Sequence, residues 1–236
     1  MLTVVRKHFK KVVLLLNVGN IIDMTDINRI APDAVLYVWQ GGMTGGKGTA
    51  DVLTGKVSPS GKLPDTIAYK ASDYPSDANF GREENRDIYA EDIYVGYRYF
   101  ETFAKEKVLY PFGFGLSYTA FEIKTEKAEI TEGAVKLSVS VKNIGSYKGE
   151  EVIEVYCEAP QGRLGKAARV LCGFEKTKEL VPQEEQVVEI AVDIAKLASY
   201  DDSGVTGNKS CYVLEAGEYK FYVGSDVRSA ESVSYT

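Results

Sequence analysis

Carboxylates are the residues of this sequence with the most chemical potential: Glu83, Glu84, Asp87, Glu91 and Asp92 crowd one short stretch, interleaved with Arg82 and Arg86. Cleaving a glycosidic bond requires two positioned carboxyl groups, one as acid and the other as nucleophile or base. The same stretch also reads as an exposed acidic loop paired with its own arginines, which supplies little energy and no chemistry. Tyr89, Tyr94, Tyr97, Tyr99, Phe100 and Phe103 accompany it and offer flat faces for sugar C–H groups. Spacings of two and three serve equally well for a strand packing its aromatic edge, and packing is the simpler reading.

Gly41-Gly42-Met43-Thr44-Gly45-Gly46-Lys47-Gly48 follows an apolar run and opens a helical one, which invites comparison with the phosphate-binding pattern GxxxxGK[ST]. The match fails by one residue. Gly48 stands where a hydroxyl would hold magnesium, and Thr49, one position on, is rotated by about 100° around a helix. The structural reading is a tight strand-to-helix turn in which glycine permits close backbone packing. His8 is the sole histidine and has no Asp or Ser motif beside it, so it reads as a solvated helix residue rather than a base. Cys157, Cys172 and Cys211 are odd in number and form no CxxC pair, which suggests neither a disulfide framework nor a zinc site.

The elements that would position these residues fall into two kinds. Val12 to Leu16 and Ala34 to Trp39 are short, continuous apolar runs, read as parallel strands buried on both faces. Met24 to Ile30 has the length of a short crossover helix, and the glycine turn leads into a helix over Lys47 to Leu53 that Gly55 closes. This α/β unit is too small to cover its own faces, and Met1 to Lys11 reads as the tail of a helix. From Ser58 to about Phe121 the sequence turns loop-like, punctuated by Pro59, Gly61, Pro64, Pro75, Gly81, Pro111, Gly113 and Gly115. The period then changes to two in Val135 to Val141, Val152 to Tyr156, Gln186 to Val192 and Tyr219 to Val223, which is the pattern of an immunoglobulin-like or fibronectin type III-like β-sandwich. The expected fold class is α/β plus all-β, with the division at 1–120 and 121–236.

A net charge of −6 argues against nucleic acid or anionic lipid as a partner, because such surfaces need clustered Lys and Arg. Arg6, Lys7, Lys10 and Lys11 before Val12 to Leu16 imitate a secretory signal, but no small-x-small cleavage site follows and Asn17, Gly19 and Asn20 interrupt the run. No apolar stretch approaches the roughly 20 residues that cross a bilayer. A reducing, cytoplasmic setting is the expectation.

The order of certain segments is more specific than any one of them. Val12-Val13-Leu14-Leu15-Leu16-Asn17-Val18-Gly19, Trp39-Gln40-Gly41-Gly42, Ala50-Asp51-Val52-Leu53-Thr54-Gly55 and Pro59-Ser60-Gly61-Lys62-Leu63-Pro64 resemble successive landmarks of the α/β sandwich domain of family 3 glycoside hydrolases, of the β-glucosidase type. Asp92 to Phe100 and Tyr110-Pro111-Phe112-Gly113-Phe114-Gly115-Leu116-Ser117-Tyr118-Thr119 resemble the signature leading from that domain into a fibronectin type III-like one. Leu171 to Lys176 and Gly217 to Gly224 resemble strands of that last domain.

The resemblance implies the C-terminal part of a retaining, exo-acting glycosidase. Its catalytic Asp would stand on a TIM barrel and its Glu acid/base in an earlier part of the sandwich domain, upstream of Met1. Neither motif occurs here, so no residue takes a catalytic, cofactor-binding or metal role, and no cofactor is implied. The implied partners are the missing barrel polypeptide and, in the full-length enzyme, a β-glucoside or oligosaccharide. Residues 1–120 alone should expose faces and an edge that other strands would cover. A non-catalytic carbohydrate-binding or interaction module is the alternative reading.

Overall fold

The structure, a computed structural model, describes residues 1–234. Helix α1 (Leu2–His8) leads into β1 (Val13–Leu16), α2 (Thr25–Ile30) crosses over, and β2 (Ala34–Tyr37) lies parallel to β1. The register pairs Val13 with Ala34 and Leu16 with Tyr37. A single 3₁₀ turn at Gly42–Thr44 then starts α3 (Gly45–Leu53), beyond which Gly55 adopts φ +72° and accounts for the helix stop. This is the strand, crossover, strand, glycine turn and helix order that the apolar runs imply.

One expectation about these strands is overturned. Leu14, Leu16, Val35 and Tyr37 pack with Met24, Leu63, Ile67 and Tyr110. On the opposite face Val13 and Leu15 are 51% and 41% exposed, so the pair is buried on one face only. A parallel sheet needs cover on both sides, and the cover present here, from Met24, Leu63, Ile67 and Tyr110, lies on one side only.

The loop-like stretch carries short structure of its own. β3 (Ile67–Ala68) pairs antiparallel with β4 (Val108–Tyr110), and between them runs α4 (Tyr97–Phe103). The aromatic stripe is therefore a helix and not a strand edge. Gly96, at φ +58°, turns the chain into it, and the helix buries Phe100 and Glu101 while Phe103 stays exposed.

The remaining strands are β5 (Phe121–Thr131), β6 (Ala134–Asn143), β7 (Val152–Glu158), β8 (Val170–Lys176), β9 (Glu185–Asp193), β10 (Ser199–Asp201), β11 (Cys211–Val213), β12 (Lys220–Gly224) and β13 (Glu231–Ser232). They form a three-stranded sheet in the order β5-β6-β9 and a four-stranded sheet in the order β13-β12-β7-β8, with β10 and β11 as a separate hairpin. Alternation drives the packing: Val135, Leu137, Val139 and Val141 from one sheet meet Ile153, Val155, Cys157, Phe221 and Val223 from the other. The four-stranded sheet has a second apolar layer on its outer side, where Tyr156, Val227 and Ala230 pack with Tyr97, Phe112, Leu171 and Tyr222. That layer joins the sandwich to the α/β part.

Candidate functional site

The five candidate carboxylates do not converge. Glu83, Glu84, Asp87 and Asp92 are exposed and Glu91 is half-buried, and Glu83 is paired with Arg86 in the manner of a self-neutralised loop. The aromatics divide. Tyr94 packs edge-on against Phe103 at 4.8 Å and Tyr99 edge-on against Phe100 at 5.3 Å, and Tyr97 lies tilted against Phe112 at 4.5 Å. These three tyrosines pack, as the simpler reading holds. Tyr89, 87% exposed, keeps its ring in solvent.

The glycine turn is a packing device. A Cβ on Gly41 would lie 2.7 Å from Gly45 Cα, so only glycine lets the two segments approach. Lys47 Nζ is committed to Asp51 at 3.3 Å, and the Thr49 hydroxyl donates to the Gly45 carbonyl at 2.9 Å. Neither is directed at a phosphate. His8 ends α1, exposed. Cys157 and Cys172 are free thiols pushed up to about 12 by burial, which leaves them inert as nucleophiles at neutral pH.

What the fold does bring together is a seam between the α/β part and the sandwich. On the α/β side of it, Leu63 exchanges backbone hydrogen bonds with the 113–114 turn, its N–H donating to Phe114 O and its carbonyl accepting from Gly113 N, each at 2.9 Å. Val227 N donates to Phe112 O at 3.1 Å, locking the turn onto the loop after β12. Side chains extend the seam in both directions. Lys62 pairs with Glu151 at 2.7 Å with both side chains largely buried, Leu171 N donates to the Tyr97 hydroxyl at 2.9 Å, and Ala168 N donates to Thr102 Oγ1 at 2.9 Å. Arg228 reaches α4, donating to Glu101 Oε1 at 2.9 Å and to the Lys105 carbonyl at 2.7 Å.

At the centre of the seam stands Glu154, 5% exposed, on the outward-pointing side of β7. The Tyr156 hydroxyl donates to its Oε2 at 2.5 Å. Burial pushes the Glu154 carboxyl up to about 7, with the Tyr156 hydrogen bond opposing, and burial together with the neighbouring Glu154 charge drives the Tyr156 phenol far above its ordinary range. Gly113 faces this pair with φ +82°, and a Cβ there would fall 2.2 Å from Glu154 Oε2. Sequence reasoning missed Glu154. Its one signal is a carboxylate inside the apolar run Val152 to Tyr156, at an outward position whose cover comes from distant loops.

The 1–118 segment matches the glycosyl hydrolase family 3 C-terminal domain, and 151–227 matches a fibronectin type III-like domain. The chain belongs to glycosyl hydrolase family 3. A β-glucosidase of Ruminococcus albus is 65% identical over 96% of this chain and 24% of its own length. β-Glucosidase A of Butyrivibrio fibrisolvens is 45% identical over 100% of this chain and 30% of its own. A solved β-glucosidase from Paenibacillus barengoltzii superposes with a TM-score of 0.94 at 53% identity, covering 99% of this chain and 26% of that one. This family 3 chain thus spans about a quarter to a third of the length of the relatives it matches. Among the described residues no helix is long and apolar enough to cross a membrane.

Proposed function

We propose that this chain is the C-terminal portion of a β-glucosidase-like family 3 enzyme that releases terminal β-D-glucosyl residues with retention, and that the barrel nucleophile and the acid/base belong to polypeptide outside these residues. The observation that carries this reading is the near-complete cover of the chain by β-glucosidases of which it spans a quarter to a third. Supporting it, the acidic stretch pairs with its own arginine, whereas retaining hydrolysis needs two carboxyl groups about 5 Å apart across the sugar. The division proposed is 1–120 and 121–236, with β5 opening the second unit at Phe121. Three free cysteines favour a reducing, cytoplasmic setting.

The open face of Val13 and Leu15 is the proposed docking surface for the remaining strands and helices of the α/β domain, and through them for the barrel. The purified chain is expected to show no turnover of an aryl β-glucoside, and addition of a polypeptide carrying the barrel and the preceding α/β segment is expected to restore it. Stoichiometric hydrolysis by the chain alone would overturn the reading. A second reading, a glycan-binding module, is favoured by the solvent-facing Tyr89 and by the exposed Tyr200 and Tyr212, whose rings meet at 5.2 Å. Titration calorimetry with glucose and cello-oligosaccharides separates the two, since heat of binding by the isolated chain supports only the second.

A further inference from the structure

Three segments distant in sequence meet at Glu154. The 113–114 turn covers it with a residue that has no side chain, and the same missing Cβ would lie 2.8 Å from Asp226 Cα, so Gly113 is held between β7 and the loop after β12. Among the described residues the hydrogen-bond donor to the Glu154 carboxyl is Tyr156 of the same strand. The charged groups around it act in both directions. Lys62, from the segment paired with the turn and bound to Glu151 at 2.7 Å, favours the carboxylate, while Asp226 and Glu151 oppose it. Asp226 faces Glu154 from the loop, with its own Oδ1 accepting from Arg228 N and Ser229 N at 2.8 and 2.9 Å, and the Tyr97 ring on α4 lies 6.2 Å from that of Tyr156.

We propose that Glu154 is a proton-operated latch on this seam: with its carboxyl neutral the Gly113 turn seats against β7 and the 225–229 loop, and with the carboxylate formed the seam loosens. The physical basis is the cost of burying an anion that has one hydrogen-bond donor and a second carboxylate nearby. A carboxyl held up to about 7 fits this geometry. The sign follows from linkage. Between the ordinary glutamate value and about 7 the folded state holds a proton that the unfolded state has released, so stability falls as pH rises through that window and levels off above it. The device concerns the joint between the two units, and it stands whether or not the longer protein is a β-glucosidase.

The test is amide hydrogen exchange on the full chain, corrected for intrinsic rates, at Leu63, Gly113 and Val227, with Leu137 and Val139 of the sandwich core as internal references. Protection of the seam amides relative to the core is expected to fall at least tenfold between about pH 5.5 and about pH 8.5 in the wild type, and to stay level in Glu154→Gln. Level protection in the wild type, or the same fall in Glu154→Gln, would overturn the proposal. Should Glu154→Gln not fold, carbon-detected titration of the Glu154 carboxyl in the wild-type chain decides instead. A midpoint near 7 agrees with the latch, and a midpoint between about 4 and 5 refutes it.

Discussion

Arg228 and Glu101, 127 residues apart in sequence, meet at 2.9 Å and tie the last loop of the sandwich to the aromatic helix of the α/β part. The Glu101 side chain is 4% exposed and that of Arg228 35%, so the carboxylate depends on its partner while the guanidinium can still turn to water. Arg228→Met should therefore destabilise the chain by about 2–3 kcal/mol, through a buried acid left without its cation. The double variant Glu101→Gln/Arg228→Met should recover part of the loss. A urea-unfolding double-mutant cycle reads both, and equal losses for the single and double variants would contradict the asymmetry.

The Gly113 turn leaves no room for a side chain. At φ +82°, with Glu154 Oε2 at 2.2 Å and Asp226 Cα at 2.8 Å from the added atom, Gly113→Ala combines backbone strain with a clash against backbone. A loss of roughly 2–3 kcal/mol is expected in the same unfolding experiment. Shortening Glu154 should rescue it incompletely, because Asp226 Cα cannot swing away.

Acid should release the N-terminal helix. The Val12 N–H at 2.9 Å, followed by Arg6, holds Asp33 down to about 2, and Arg6 thereby ties α1 to the start of β2. A depressed folded value means the stabilisation is complete above the ordinary aspartate range and is lost as pH falls through about 2. Exchange of the β1 and β2 amides should accelerate over that window in the wild type, and Asp33→Asn should remove the pH dependence.

The open face of β1 should govern self-association. Val13→Lys and Leu15→Lys remove apolar surface that contributes little to the fold, since both side chains are 41% exposed or more. Analytical ultracentrifugation should show less aggregation for the double variant with an unfolding midpoint close to wild type. A large loss of stability would mean that these residues belong to a covered core.

Local pattern by itself determined much of this protein. A short apolar run specifies a strand, and strict alternation specifies a strand with one wet side, so Val12 to Leu16, Ala34 to Trp39 and Val135 to Val141 revealed their elements without any knowledge of neighbours. Ordered motifs such as Pro111 to Thr119 revealed the family. Periodicity could not reveal what lies on top of an element. The open face of Val13 and Leu15 and the helical state of Tyr97 to Phe103 were decided by packing. The enclosure of Glu154 under Gly113 and the pairing of Glu101 with Arg228 were decided in the same way. A side chain's burial and charge state depend on groups that arrive from elsewhere in the chain, and only the closed fold brings those groups within reach.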